Sequence, residues 1–224
     1  MPELEIIAHI RTDFPEKFGI PRQSGLVPEL RGKIIFQEKY RRPEAFRGLE
    51  EFSHIWILWQ FSQALRQDWT PSVRPPKLGG NARKGVFATR SPFRPNGIGL
   101  SCVKLDAIKN EKENGIVLYV SGIDMMDGTP IYDIKPYLSF ADSKPDASCG
   151  FADPKERDSL TVSIPASCTE NFPAERLSAL THLLAQDPRP AYQTDPSRIY
   201  GLSYAGYEVK FRVEENILYV MAIT

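Results

Sequence analysis

Hydrophobic residues in the first 140 positions recur in short runs that are separated by glycine, proline, asparagine and aspartate. Such runs, with turn-forming residues between them, are typical of antiparallel strands in a barrel or a sandwich. The runs that we interpret as strands are 4–12, 33–37, 54–61, 85–90, 99–107, 115–123 and 131–137. The pattern therefore predicts a mainly β fold, in which about six or seven strands form an antiparallel β-barrel.

A helical period is convincing only in the last third of the chain. Leucines recur at helical spacing from Leu177 to Leu184. Asn171 is the expected N-cap, Pro173 falls in the first turn, and Asp187 stands before a proline that stops the run. We therefore predict one amphipathic helix in this part of the chain.

The residues that follow the helix have the pattern of a small sheet. Apolar and charged residues alternate over 207–213, and a three-residue loop at 214–216 indicates a hairpin with the apolar run 217–223. A polar stretch at 139–159 breaks every period and is the expected linker. These features predict a β-barrel domain at 1–155 and a small α+β C-terminal domain at 156–224.

Charge and composition exclude several classes of protein. The 224 residues include 28 Lys+Arg and 28 Asp+Glu, and this zero formal net charge excludes a uniformly basic nucleic-acid-binding chain. The hydrophobic content is 42%, and no apolar run approaches the roughly 18 residues of a transmembrane helix. The first residues lack the features of a signal peptide, so we expect a cytoplasmic protein. The three cysteines and three histidines show no disulfide-framework or metal-ligand spacing, so we expect no metal.

The charge is unevenly distributed. Between Asp68 and Asp106 there is no acidic residue, whereas this window holds seven basic ones. These are Arg74, Lys77, Arg83, Lys84, Arg90, Arg94 and Lys104. The window also contains five prolines and five glycines, so its loops can bring backbone N–H groups close to an anion. Phosphate is the natural partner, and a solvated basic loop is the alternative.

Residues 87–100 form a dense loop with the sequence FATRSPFRPNGIGL. Arginine recognises planar groups and oxygen pairs, and Phe93 offers a face on which a base can stack. The Gly97-Ile98-Gly99 motif leads into a strand, and Cys102 stands where a dinucleotide-binding fingerprint needs its third glycine. We therefore exclude a Rossmann nucleotide site.

Two further segments combine turns with charged residues. In 122–137, Asp124 and Asp127 follow an apolar strand, and Asp133 and Lys135 fall on one face of the next. This segment is either a ligand site or a tight hairpin turn with a surface ion pair. After the helix, Arg189 lies in a proline-rich loop that either contacts RNA or only ends the helix.

Several motifs together resemble the TrmO (TsaA-like, YaeB-like) family of tRNA methyltransferases. The matching segments are 21–23, 48–50, 52–54, 74–76, 79–81, 85–99, 127–130, 133–137 and 187–192. The resemblance implies a β-barrel methyltransferase that uses S-adenosylmethionine and tends to form a homodimer. It also implies methylation of N6 of threonylcarbamoyl-adenosine at position 37 of tRNA. A non-catalytic RNA-binding barrel and a small-molecule-binding barrel enzyme are the alternatives.

The resemblance suggests the cofactor-binding residues, and the chemistry of the implied reaction and the basic window suggest the others. The expected cofactor-binding residues are Pro21, Arg22, Gln23, Ser62, Gln63, Arg90, Leu100, Asp124, Met125, Met126 and Asp127. For catalysis we expect Asn96 and Asp133 to hold N6, Lys135 and Tyr137 to shape the pocket, and Arg94 to bind the threonyl carboxylate. The expected RNA-binding residues are Arg74, Lys77, Arg83, Lys84 and Arg189.

Overall fold

The structure is a computed structural model that describes residues 4–63, 68–75, 78, 82–153, 159–190, 193 and 195–224. Its strands are β1 (Ala8–Thr12), β2 (Arg31–Phe36), β3 (His54–Gln60), β4 (Ser72–Val73), β5 (Lys84–Gly85), β6 (Ile98–Glu111), β7 (Gly115–Ser121), β8 (Pro130–Pro136), β9 (Thr161–Ser163), β10 (Tyr200–Tyr204), β11 (Tyr207–Glu214) and β12 (Ile217–Ile223). Its α-helices are α1 (Ser139–Asp142), α2 (Ala166–Thr169) and α3 (Ala174–Ala185). Short 3-10 turns connect several of these elements.

Six strands close into a barrel in the order β1-β2-β7-β6-β3-β8, with antiparallel pairing at each seam. Burial alternates along the strands: in β3, Ile55, Ile57 and Trp59 are buried, whereas the residues between them are more accessible. This alternation places one face of each strand in the core and the other outside. The predicted mainly β fold with an antiparallel barrel is confirmed.

One predicted barrel strand is wrong. In the run 85–90, only Gly85 is in a strand, at the end of the two-residue β5, which pairs with β4 outside the barrel. The chain then enters a 3-10 turn at Val86–Ala88, where the Thr89 hydroxyl donates to the Val86 carbonyl at 2.8 Å. Local side-chain hydrogen bonds of this kind offer the backbone an alternative to a strand ladder.

The predicted helix is α3, and its N-terminus differs from the prediction. Pro173 occupies the N-cap position, and no side-chain hydrogen bond caps the helix. The backbone carbonyl of Asn171 accepts a hydrogen bond from the Tyr207 hydroxyl at 3.0 Å. Leu180, Leu183 and other apolar residues on one face are buried, as the helical spacing predicts.

The C-terminal strands form a second sheet in the order β10-β11-β12-β9. The loop between β11 and β12 has two residues instead of three, because Glu214 is still in the ladder and Glu215 takes the left-handed conformation at φ 53°. Strand β9, which the sequence pattern did not predict, joins the sheet parallel to β12.

This second sheet packs against the barrel. Phe14, just after β1, contacts Tyr204 with ring centroids 5.4 Å apart, and the Asp13 carbonyl accepts from the Ala205 amide at 3.0 Å. His182 on α3 contacts Glu29 at 2.7 Å. Barrel and sheet share one continuous set of buried apolar residues. The division near residue 155 remains a prediction, and 154–158 lie outside the described residues.

In the part of the chain that the structure describes, no helix is long and apolar enough to cross a membrane.

Candidate functional site

A cleft of about 640 Å³ opens at one end of the barrel. Five parts of the chain meet there: the segment after β1, the end of β3, the loop before β6, the start of β6, and the loop between β7 and β8. Its lining includes Lys17, Ile20, Trp59, Gln60, Phe61, Thr89, Pro92, Phe93, Ile98, Gly99 and Thr129. The volume falls in the range of roughly 300 to 1,000 Å³ that is usual for small-molecule sites.

The cleft brings together nine of the predicted cofactor-binding residues from distant parts of the sequence. These are Pro21, Arg22, Gln23, Ser62, Gln63, Arg90, Leu100, Asp124 and Met126. Arg90 donates a hydrogen bond to the Gln23 side chain, so the loop before β6 is joined to the segment after β1. The cleft therefore presents guanidinium groups, amides and one carboxyl group beside apolar walls.

Two predicted cofactor-binding residues do not line the cleft. Met125 is only 1% exposed and belongs to the core. Asp127 Oδ1 accepts from the Thr12 amide at 2.9 Å and lies 3.2 Å from Arg11 Nε. Neighbouring residues in this extended turn point to different sides, so the turn delivers Asp124 and Met126 to the cleft while Asp127 anchors the end of β1.

A chain of hydrogen bonds lies behind the cleft wall. The Trp59 indole Nε1 donates to Ser101 Oγ at 2.9 Å, and Ser101 Oγ donates to Asp124 Oδ1 at 2.6 Å. Ser101 is fully buried, and each of its contacts crosses between elements. Sequence reasoning missed Trp59 and Ser101. The one available signal was a serine at a core-facing position of β6, because a buried hydroxyl needs a partner.

Burial raises the pKa of Asp124 to about 6 from an ordinary value of 3.8, while hydrogen bonds from Ser101 and the Ser24 backbone and the charge of Arg90 oppose this rise. Loss of water around a carboxylate disfavours its charged form. Asp124 therefore changes charge close to neutral pH, which is a frequent property of functional carboxyl groups.

Gly99 allows the backbone of β6 to approach the Trp59 ring. A Cβ at this position would lie 2.2 Å from Trp59 Cε2 and 2.5 Å from two other ring atoms. Gly99 pairs directly with Trp59 across the β3–β6 ladder, so no side chain other than hydrogen fits there without moving the indole.

Of the predicted catalytic residues, only Arg94 lines the cleft. Its Nη1 donates to the Thr89 carbonyl at 2.6 Å and to the Val86 carbonyl at 3.3 Å. This nitrogen holds the loop in shape, so the predicted bidentate clamp would have to use the other two guanidinium nitrogens. Asn96 is exposed and does not line the cleft. Its backbone carbonyl accepts a hydrogen bond from the Ile98 amide.

The other predicted catalytic residues lie on the outer face of the barrel. Lys135 and Asp133 form an ion pair at 2.8 Å and stand opposite Trp56 and Leu58 in the β3–β8 ladder. Tyr137 packs against Trp56, with ring centroids 5.8 Å apart. The core-facing residues of β3 are the alternate ones, so these side chains point away from the core. In a single chain, Asp133, Lys135 and Tyr137 therefore lie outside the cleft that Arg94 lines.

The predicted RNA-binding residues divide into two groups. Arg74, Arg83 and Lys84 are exposed on or beside the β4–β5 ribbon, and Lys77 lies outside the described residues. Arg189 does not belong to this surface: its Nε and Nη2 donate to the two Asp187 carboxylate oxygens at 2.8 and 2.9 Å, and its side chain is 14% exposed. Both of these nitrogens are already hydrogen-bonded within the loop that ends α3, so a phosphate would have to displace the Asp187 carboxylate.

No group of three or more histidine, cysteine, aspartate and glutamate side chains among the described residues is arranged to hold a metal ion.

Comparisons with known proteins agree with both parts of this fold. The family model of the tRNA-methyltransferase O N-terminal domain matches residues 9–143, and that of the TrmO C-terminal domain matches 159–224. The chain is 43% identical to the tRNA (adenine(37)-N6)-methyltransferase of Escherichia coli, with 99% of this chain and 97% of that protein covered.

Two further comparisons extend this result. The chain is 45% identical to a putative S-adenosylmethionine-dependent methyltransferase of Pseudomonas aeruginosa, over 88% of this chain and 86% of that protein. A crystal structure of TrmO from Pseudomonas aeruginosa superposes with a TM-score of 0.79 and 34% identity, covering 100% of this chain and 99% of the other. With the barrel and the C-terminal sheet each matched along nearly their whole length, this chain belongs to the TrmO family of tRNA methyltransferases.

Proposed function

We propose that this chain transfers a methyl group from S-adenosylmethionine to N6 of adenosine 37 in tRNA. Within this activity, we propose that the substrate is the adenosine that already carries a threonylcarbamoyl group, and that the reaction takes place in the cytoplasm. The observation that carries the proposal is a cleft with guanidinium groups, a carboxyl group and aromatic walls, next to a basic loop region without acidic residues.

The residues of the cleft fit S-adenosylmethionine by their chemistry. This molecule carries a carboxylate, an ammonium, a sulfonium and an adenine ring. Arg22 and Arg90 are suited to the carboxylate, and ionised Asp124 is suited to a cationic group. Trp59 and Phe61, with ring centroids 4.3 Å apart, add apolar and aromatic surface. When bound, the sulfonium supplies an electrophilic methyl group.

The chain's own contribution to the reaction is alignment. Holding two reacting atoms at about 3 to 3.5 Å in the correct orientation lowers the barrier substantially. Position 37 lies in a loop of tRNA, so its base can leave the stack without opening a duplex. Arg94, at the edge of the cleft, is suited to bind the threonyl carboxylate through its two remaining nitrogens.

The proposal gives the outer face of the barrel a role through a homodimer. Asp133, Lys135 and Tyr137 do not line the cleft of their own chain. A second copy that places this face over the cleft would complete the site. Exposed apolar side chains follow directly after Tyr137, with Phe140 84% exposed, and burial in a dimer would remove them from water.

The first experiment tests substrate and activity. Methyl transfer from radiolabelled S-adenosylmethionine is measured on one tRNA prepared with and without the threonylcarbamoyl group. We expect transfer to the modified tRNA only, and a large loss for Arg94→Ala, with Arg212→Ala on the C-terminal sheet as the control. Equal rates on both tRNAs would eliminate the carboxylate clamp. RNA binding without any transfer would favour the non-catalytic RNA-binding barrel, and transfer to a small molecule alone would favour the small-molecule enzyme.

The second experiment tests the shared site. Arg90→Ala and Lys135→Ala proteins are each expected to be inactive as homodimers. After subunit exchange, random pairing makes about half of the dimers mixed, and each mixed dimer holds one intact site, so about a quarter of wild-type activity should return. A monomeric mass in light scattering, or no recovery after verified exchange, would contradict the shared site.

A further inference from the structure

Two aromatic side chains that have no role in the cleft stack on each other at its edge. The rings of Trp69 and Phe87 have centroids 6.0 Å apart and planes inclined by 24°. Trp69 is 47% exposed and Phe87 is 71% exposed. Exposed aromatic rings that stack on each other, rather than standing singly, are candidates for contact with a ligand or a partner. We refer to these two residues as the aromatic pair.

The backbone holds the aromatic pair in place. Strands β4 and β5 pair just beyond the two residues, and the Val86 amide donates to the Pro71 carbonyl at 3.0 Å, which continues the ladder toward the pair. The Thr70 amide donates to the Phe93 carbonyl at 3.2 Å, which ties the same segment to the loop before β6. Backbone hydrogen bonds therefore hold both rings on the ribbon. A ligand that stacks on them loses little binding free energy in ordering the backbone.

The aromatic pair adjoins the cleft through Arg94. The Arg94 guanidinium carbon lies 5.8 Å from the centre of the Phe87 ring, and Arg94 also lines the cleft. Arg83 and Lys84, on the ribbon that presents the pair, are exposed and basic, and no acidic residue occurs between Asp68 and Asp106. Arg83, Lys84 and Arg94 thus place three cations near the pair, beside one exposed carboxylate at Asp68.

We propose that the aromatic pair stacks an unpaired base of the tRNA anticodon loop next to the adenosine that enters the cleft. This inference rests on the proposed function, because it assumes that the substrate is RNA. Unpaired bases are recognised by stacking on aromatic side chains, and phosphates by nearby cations, and the pair with its basic neighbours offers both. The three cations near the pair outnumber the one adjacent carboxylate, which favours a polyanion over an apolar protein segment, because such a segment would need fewer cations around its docking site.

The magnitude follows from general values for stacking. Removal of one stacking aromatic weakens single-stranded nucleic acid binding by about 5- to 160-fold. Stacking displaces no counterions, so the slope of log affinity against log salt concentration should stay unchanged. Loss of a phosphate contact, in contrast, should reduce this slope by about 0.7 for a single-stranded contact.

The test measures binding of the full-length protein to an RNA hairpin with the tRNA anticodon loop, by fluorescence anisotropy at several salt concentrations. The variants are Trp69→Leu and Phe87→Leu, which keep an apolar side chain and remove the ring. Tyr219→Leu, which removes a partly exposed ring on the C-terminal sheet, is the matched control. A second hairpin has abasic positions on both sides of adenosine 37. Circular dichroism and binding of S-adenosylmethionine confirm that each variant is folded.

We expect both variants to bind the intact hairpin at least 5-fold more weakly with an unchanged salt slope, and to match wild type on the abasic hairpin. Tyr219→Leu should bind like wild type on both. Variants that bind the intact hairpin as tightly as wild type would overturn the stacking role. Variants whose affinity for the abasic hairpin falls by the same factor as their affinity for the intact hairpin would also overturn it. In both cases the proposed function would stand. If wild type transfers no methyl group and binds neither hairpin, both the proposed function and this inference fail, and a protein partner becomes the occupant to seek.

Discussion

Replacement of Asp124 by asparagine should stabilise the protein near neutral pH and leave its stability almost unchanged in acid. Burial raises the pKa of Asp124 from 3.8 to about 6 in the folded state. Between these two values the folded protein keeps the proton that the unfolded chain has released, so wild-type stability falls as pH rises. The unfavourable contribution is absent below about pH 4 and fully present above about pH 6.

The size of this effect follows from the pKa change. Each pKa unit corresponds to about 1.4 kcal/mol, so the rise to about 6 amounts to about 3 kcal/mol. Asparagine has nearly the same shape, and its Oδ1 can accept the hydrogen bond that Ser101 now donates to Asp124. At low pH the Asp124 carboxyl group is protonated in both states, so the difference in unfolding free energy between the variant and wild type reports only the change in hydrogen bonding. The further growth of this difference with pH therefore reports the ionisation of Asp124.

The assay is urea unfolding of wild type and Asp124→Asn from about pH 3.5 to pH 7.5, followed by circular dichroism and with cofactor absent. Asp146→Asn, at an exposed aspartate, is the control for replacement of a carboxyl group. The free-energy difference between Asp124→Asn and wild type should grow by about 3 kcal/mol across this range. A difference that changes by less than about 1 kcal/mol would refute the raised pKa.

The same carboxyl group should make cofactor binding sensitive to pH. Ionised Asp124 attracts the positive groups of S-adenosylmethionine, and protonated Asp124 does not. Affinity measured by calorimetry should therefore fall as the pH drops through about 6, and Asp124→Asn should bind weakly at every pH. Wild-type affinity that stays constant from pH 5 to pH 8 would show that Asp124 does not contact a cationic part of the cofactor.

Three other substitutions distinguish residues that contact a ligand from residues that only hold the local structure. Gly99→Ala should displace the Trp59 ring, lower stability by about 1 to 3 kcal/mol and weaken cofactor binding; unchanged calorimetric affinity would contradict the close approach. Asp127→Ala removes the acceptor of the Thr12 amide and should lower the free energy of unfolding by about 1 to 2 kcal/mol, while the folded protein keeps its cofactor affinity; a stable variant that has lost affinity would instead place Asp127 in the site. Arg189→Gln should leave the salt dependence of RNA binding unchanged, and a flatter slope would return this residue to the RNA surface.

Much of the architecture was already present in the sequence. The alternation in β2 and β3 predicts which residues face the core, and leucine spacing predicts the buried face of α3. Both patterns depend on the backbone geometry of single elements, which neighbouring residues set. The run 85–90 was misread because it has turn-forming chemistry and no alternation, so its apolar residues were weak evidence for a strand.

Only the tertiary structure decided how the site is composed. Trp59 meets Gly99 and Ser101 because β3 and β6 pair in one particular register, and a shift of one residue would turn Ser101 outward. Asp124 and Asp127 lie in one short turn, yet one reaches the cleft and the other anchors Thr12. A local pattern states which residues alternate along a strand. Register, burial and the meeting of strand ends depend on contacts between residues that are distant in the chain, and these contacts place the carboxyl group, the indole and the glycine together.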